Sequence, residues 1–163
     1  MPNKNIILRI DDRLIHGQVL VGWANHYPIK HFVVGNDEIA DNDWEKDLLL
    51  MAVPPHQDAK ILPLPATTEY INAHLNSPEM IMVLIKGPED LKQMARDGLQ
   101  LKEINVGGIH FNEGRKEILS YLFLSDQEIA LFRQLMAEGF VFTCQDVPMG
   151  HQFDLKTILD EKK

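Results

Sequence analysis

The chain has 163 residues, 45% of them hydrophobic and 25% charged. That is the make-up of one compact globular domain, 1–163, and not of a disordered or fibrous chain. With 16 Lys and Arg against 24 Asp and Glu its formal charge is −8, which argues against nucleic acid or an anionic membrane as a non-specific partner.

The elements alternate along the chain. The β-branched run Ile6–Ile10 reads as a first strand, and Gln18–Tyr27 as a short helix. Further strands are predicted at His31–Val34, Ile61–Leu64, Met80–Ile85, Ile104–Val106 and Phe140–Cys144. Between them, "NDWEKDLLLMAV" carries acids in its first turn and is stopped by Pro54-Pro55. "TTEYINAHL" is expected to be capped by Thr67 or Thr68, and "GPEDLKQMARDG" has Pro88 at its start and Gly98 past its end. In "SDQEIALFRQLMAEG", Ser125 and Glu128 form a capping box, Ile129, Phe132, Leu135 and Met136 share one face, and Gly139 ends the helix. Residues 107–125 break the alternation and read as an irregular excursion followed by a short strand, Ile118–Phe123. "HQFDLKTILDEKK" reads as a closing helix. Strands alternating with helices imply an α/β fold: a mostly parallel central sheet with helices on both faces.

In such sheets ligands sit outside the carboxyl ends of the strands. "RIDDRLIHGQV" occupies that place after the first strand, so the active loop is expected there. His16 precedes Gly17 and the start of a helix, where backbone amides and the macrodipole favour an anion and glycine leaves room for it. Arg13 offers a planar fork suited to phosphate. Asp11 or Asp12 can hold either the arginine or one imidazole nitrogen, which fixes the tautomer and frees the other nitrogen. Together these groups make an imidazole able to take up a phosphoryl group. An Asp-Asp-Arg run is equally an ordinary surface salt bridge.

Two alternatives compete: a receiver-like regulatory domain that phosphorylates an aspartate with Mg²⁺, and a non-catalytic anion-binding module. The receiver needs an acid after its third strand, and "KILPLP" has none. No dinucleotide loop follows the first strand. His26, His31, His56, His74 and His151 are too scattered for zinc and read as surface or structural, so no metal site is expected. Cys144, the lone cysteine, reads as a small buried strand residue and excludes an internal disulfide. No secretory signal is visible, and no apolar run approaches the about 20 residues of a membrane span.

"RIDDRLIHGQV" closely resembles the phosphorylation-site motif of enzyme IIB components of the mannose/fructose/sorbose family of bacterial phosphotransferase systems. "VVGNDEIA", "LKEINVGGIHF" and "LSDQEIALFRQLMAEGFVFTCQDVP" resemble further segments of that family, so the likeness covers nearly the whole chain. It implies a protein-N(pi)-phosphohistidine–sugar phosphotransferase: His16 accepts a phosphoryl group from a IIA component and passes it to a sugar imported through membrane IIC and IID components. By motif position His16 is the phosphohistidine, Arg13 and Asp11 bind phosphate and hold the loop, and Asp12, Arg9 and Gly17 accompany them. The resemblance implies no metal or nucleotide cofactor and a cytoplasmic place beside the membrane transporter, and it leaves room for a homodimer. Sugar identity is not legible in this chain. His110, in "GGIHF" on the same sheet edge, is the next imidazole in line.

Overall fold

The computed structural model describes residues 5–14, 17–55 and 57–162, with side chains of 17–21 left aside. Its elements, in order, are β1 (Ile6–Ile10), α1 (Gly17–His26), β2 (Ile29–Gly35), α2 (Asp37–Ala40), α3 (Asp43–Leu50), β3 (Asp58–Leu62), α4 (Leu64–Ala73), β4 (Met80–Ile85), α5 (Pro88–Arg96), β5 (Glu103–Val106), β6 (Lys116–Leu119), β7 (Leu122–Leu124), α6 (Asp126–Ala137), β8 (Val141–Cys144), β9 (Phe153–Asp154) and α7 (Leu155–Glu161). Seven strands form one sheet in the order β3-β2-β4-β1-β5-β8-β9. All its pairings are parallel except β8 with β9. The expected α/β architecture is present.

The two faces are read from the strand alternation. Ile81, Val83 and Ile85 of β4 face a core completed by Leu64 and Ile71 of α4, Leu91 and Met94 of α5, Phe132 and Leu135 of α6, and Leu155, Ile158 and Leu159 of α7. Met82 and Leu84 face the other way, onto Trp23 of α1, with Ile39 of α2 and Leu49 of α3 packed against that side. Because both faces are covered, "MIMVLI" is apolar throughout, as a central parallel strand must be. The helices that follow β1 and β4 lie on opposite faces, and these two strands are neighbours. The sheet's switch point therefore lies beside the carboxyl end of β1.

Local signals hold where local chemistry decides. Ser125 and Glu128 form the capping box of α6, Asn42 caps α3, and Gly98 and Gly139 take positive φ just past α5 and α6. Two expectations are corrected. Thr67 and Thr68 do not cap α4: the helix begins at Leu64, its first amide donates to Asp37 Oδ1 at 2.7 Å, and the two hydroxyls donate back to Pro63 and Leu64 carbonyls inside the helix. The cap comes from another segment, beyond the reach of a local pattern. The excursion is not one strand over 118–123 but an antiparallel hairpin, β6 and β7, outside the main sheet. Its apolar residues do serve the core, with Ile118, Leu122 and Leu124 buried. Phe140 falls just before β8, and β3 begins at Asp58 and ends at Leu62. Cys144 is buried in β8, and burial pushes its thiol up to about 12.

Candidate functional site

The carboxyl end of β1 carries a buried ionic knot. Arg9 and Asp11 are both fully enclosed. Arg9 points to the α1 face, with its Cζ 4.9 Å from the Trp23 ring centre. Its Nη1 donates to Asn105 Oδ1 and to the Gln145 carbonyl at 2.7 Å, and its Nη2 donates to the Asp146 carbonyl at 2.8 Å. One guanidinium thus ties together the ends of β1, β5 and β8. Burial lowers the basicity of Arg9, and the adjacent Asp11 carboxylate opposes that effect.

Asp11 stands between two arginines. Its Oδ2 accepts from Arg9 Nε at 3.3 Å and from Arg13 Nη2 at 2.7 Å, while its Oδ1 accepts from Arg13 Nε at 2.8 Å and from the Arg13 backbone amide at 3.1 Å. The last bond makes residues 11–13 an Asx-type turn. The hydrogen bond with Asp11 raises the basicity of Arg13, whose side chain is 38% exposed. Arg13 also approaches Asp146 Oδ1 at 3.9 Å. The Nε–Nη2 edge of its fork is spent on Asp11, and among the described residues Nη1 has no hydrogen-bond partner.

Main-chain bonds hold the same edge. The Asp11 amide donates to Ile85 O, the Asp12 amide to Gly108 O, and the Gly107 amide to Ile10 O. Gly107 has no room for a side chain: a Cβ there would stand 2.3 Å from Arg9 Nη2 and 2.6 Å from Asp11 Oδ2. A Cβ on Gly108 would press on the Arg13 guanidinium at 3.2–3.3 Å. The turn closes with the Leu14 amide donating to Asp11 O at 3.0 Å. Leu14 is buried and has φ of 51°. A non-glycine residue in this region costs roughly 1–2 kcal/mol, and such strain gathers at functional loops.

Asp12 does a separate job. It is nearly buried, and its Oδ2 accepts from the His110 backbone amide at 2.9 Å and lies 2.5 Å from His110 Nδ1. His16 and Ile15 lie outside the described residues, so the imidazole named from the motif has no geometry to report. The backbone from Gly17 onward is helical, so α1 starts where the sequence placed it. His56 also lies outside the described residues. His31 and His74 are engaged in surface contacts, and His151 rests on Phe153.

Sequence reading missed Trp23, Asn105, Gln145 and Asp146. A usable signal was present. Asn105 and the pair Gln145-Asp146 sit where apolar strands end at the carboxyl edge, the same place as Asp11, and polar groups at that edge of a parallel sheet converge.

A doubly wound sheet with an ionically clamped loop at its switch point defines the class: an α/β protein whose polar side chains gather at the carboxyl edge of the sheet. The matching family is the "PTS system sorbose subfamily IIB component", over residues 5–163. The N-acetylgalactosamine-specific phosphotransferase enzyme IIB component 1 of Escherichia coli (strain K12) is 31% identical over 150 residues, 91% of this chain and 94% of that protein. The mannose-specific EIIAB component of the same organism is 28% identical over 166 residues, 98% of this chain and 51% of that protein. The chain therefore spans about half of that relative's length. The crystal structure of the IIBSor domain of the sorbose permease from Klebsiella pneumoniae matches with a TM-score of 0.85 at 27% identity, covering 98% of each chain. The chain belongs to the sorbose-subfamily IIB components of the phosphotransferase system.

Against the receiver alternative, Asp11 is committed to two guanidinium groups and Asp12 to His110, and β3 is followed by Pro63 and Leu64 with no acid. Among the described residues no three His, Cys, Asp or Glu groups are placed to hold a metal ion. Among them, too, no helix is long and apolar enough to cross a membrane.

Proposed function

We propose that the chain is a phosphoryl carrier that takes a phosphoryl group from a IIA component on His16 and delivers it to a sugar entering through IIC and IID membrane components. The observation that supports this reading is the Arg9–Asp11–Arg13 knot. Two arginines and a buried carboxylate are costly to place together, and here they fix the loop that leads into position 16 and α1.

The residues divide the work. Arg9 and Asp11 are positioning residues: they lock the ends of three strands and orient Arg13. Arg13 offers Nη1 to the phosphoryl oxygens. The amides at the start of α1 face a developing negative charge, and Gly17 adds no side chain to block the approach. His16 supplies the attacking nitrogen. The N–P bond of the donor imidazole breaks as the new N–P bond to His16 forms, and the donor nitrogen recovers its lone pair. Such a transfer has a loose transition state, in which in-line placement and charge stabilisation count for more than covalent assistance. In delivery a sugar hydroxyl oxygen forms the new O–P bond as the His16 N–P bond breaks; the imidazole keeps that electron pair, and the hydroxyl proton passes to it or to solvent. The carrier works on the cytoplasmic side, beside its membrane partners. Relatives named for mannose, sorbose, fructose and N-acetylgalactosamine share this fold family, so the sugar is set elsewhere.

Incubation with phosphorylated IIA should yield an acid-labile, base-stable phosphate that is absent from His16→Ala. Label that persists on the sugar-delivering route in that variant would sink the assignment. Arg13→Ala should keep the fold and slow transfer by the about 2.7–4 kcal/mol typical of a lost charge-stabilising donor. Arg13→Lys, which keeps the charge without the fork, should recover part of that loss. An unchanged rate in Arg13→Ala would make Arg13 a brace for Asp11 and nothing more.

A further inference from the structure

The same sheet edge presents a second imidazole whose setting the carrier reading does not use. His110 follows Gly107-Gly108, and its side chain is 73% exposed while that of its partner Asp12 is 6% exposed. The stem is firmly held. The flanking Ile109 amide donates to Tyr121 O, and its carbonyl accepts from the Phe123 amide. The His110 carbonyl accepts from Arg115 Nη1, whose guanidinium is clamped on Glu128 of α6 at 2.9 and 3.0 Å. The ring is presented from a braced turn.

Its two nitrogens are differentiated. Nδ1 lies 2.5 Å from Asp12 Oδ2. A carboxylate beside Nδ1 favours the tautomer that carries its proton there. In the neutral ring the lone pair is then on Nε2, and among the described residues Nε2 has no hydrogen-bond partner. A carboxylate behind one nitrogen and an open second nitrogen is the arrangement that activates an imidazole as a nucleophile. The imidazoles of His31 and His74 differ. His31 has both nitrogens bound to carboxylates, and His74 has Nδ1 on Tyr70 O with its ring stacked on Tyr70. His110 also borders a cleft of about 330 Å³ that is lined by Lys86 and Arg115 and by the carboxylates of Asp12, Glu89, Asp90 and Glu128, so an incoming phosphoryl group has room beside the ring.

We propose that His110 Nε2 is a second phosphoryl-accepting nitrogen, loaded by the same class of donor, a phosphorylated nitrogen; for the biological donor this rests on the carrier reading above. In the step, the donor N–P bond breaks and the Nε2–P bond forms. The donor nitrogen keeps the electron pair, and the ring becomes a phosphoimidazolium whose Nδ1 proton faces Asp12. The carboxylate offsets the positive charge, and no proton need leave.

Phosphoramidate, a small donor with a P–N bond, tests this on the full chain. Wild type, Asp12→Asn, His110→Ala and His16→Ala are exposed to it at neutral pH, and the phosphorylated positions are mapped over time by mass spectrometry, with ³¹P NMR for the isomer. The exposed His26 and His151 serve as internal references. His110 should label at least about tenfold faster than either, as the Nε2 isomer, because an oriented and activated group commonly gains that much or more. Asp12→Asn should bring it to the reference rate, and His16→Ala should leave it labelled. A rate no greater than that of the references, label confined to His16, or an Asp12→Asn chain that labels as fast as wild type would each overturn the proposal. Label on His110 with none on His16 would support it while counting against the carrier assignment.

Discussion

Two clusters, each with three ionisable side chains, stand at opposite ends of the sheet, and they are built on opposite terms. At the carboxyl edge Arg9, Asp11 and Arg13 share, among the described residues, seven hydrogen bonds among themselves and with Asn105, Gln145 and Asp146, and Arg9 and Asp11 are fully enclosed. An ion pair, Arg9 Nη2 to Asp11 Oδ2 at 3.2 Å, adds to them. At the amino edge Asp58, His31 and Glu79 form a similar three-part chain, with His31 Nδ1 at 3.0 Å and Nε2 at 3.1 Å from its partners, but all three side chains meet solvent. The first cluster has been taken out of water at a cost that only its complete set of partners offsets. The second has given up little hydration and gains little in return. Burial, and not the number of charges, separates a loop that is held in one geometry from a surface clasp.

The contrast breaks most sharply at Asp11. Asp11→Ala leaves Arg9 enclosed with carbonyls and Asn105 but no carboxylate in contact, only the weaker pull of Asp146. Stripping one partner from a buried pair typically costs about 3–5 kcal/mol. Urea unfolding should show a loss of that size, with Arg13 released and phosphoryl transfer impaired with it. A loss below about 1 kcal/mol, the range of exposed pairs, would mean that the two clusters are energetically alike and that Asp11 is dispensable to the loop.

Gly107→Ala sharpens the same point without removing any charge. The added Cβ would sit 2.3 Å from Arg9 Nη2 and 2.4 Å from Cζ, atoms anchored on three strands and unable to swing away. Overpacking of this kind costs about 1–3 kcal/mol, and the displaced guanidinium should disturb Asp11 in turn. Gly98→Ala provides a comparison of a different kind: its Cβ meets nothing within 4 Å, and only its positive φ resists. If Gly107→Ala were as stable as wild type, the knot would be looser than its distances say.

How far each cluster could be read beforehand follows from the range of the interactions. β4 and the α6 capping box were legible because an apolar run and a four-residue cap are local facts. The site was legible as a place, since Asp11, Asp12 and Arg13 follow the first strand of an α/β chain, and the family motif supplied His16. The internal wiring was not. The motif named Arg9 without a definite role, and its partners Asn105 and Gln145 lie 96 and 136 positions away. Likewise α4 takes its cap from Asp37, 27 positions back. The split of residues 116–124 into two strands depends on the pairing of Lys116 with Leu124, which a pattern of mixed apolar and polar residues does not encode. Asp11 or Asp12 was expected to hold Arg13 or the imidazole of His16. Asp11 holds Arg13, His16 lies outside the described residues, and Asp12 lies against His110 instead.

The smallest effect belongs to the amino edge, and its sign is fixed by the titration of His31. Hydrogen bonding to Glu79 raises the His31 value above the ordinary one, against the opposing pull of burial, and Asp58 adds to the rise. A group whose folded value is raised contributes its stability in full below its unfolded value, about 6.5, and loses it as pH climbs through the folded value. The clasp should therefore favour the folded chain at about pH 6 and cease to do so in alkali. The difference in unfolding free energy between wild type and His31→Gln should be at most about 1 kcal/mol at the lower pH, as for other exposed pairs, and should vanish by pH 9. It should also shrink in concentrated salt, because exposed charges are screened over a few ångströms at about 1 M, whereas the Asp11→Ala loss should persist there. A His31→Gln difference that grows with pH would reverse the sign and place the imidazole in a site that prefers it neutral. One that resists salt would show the amino edge to be as shielded as the knot at the other end of the sheet.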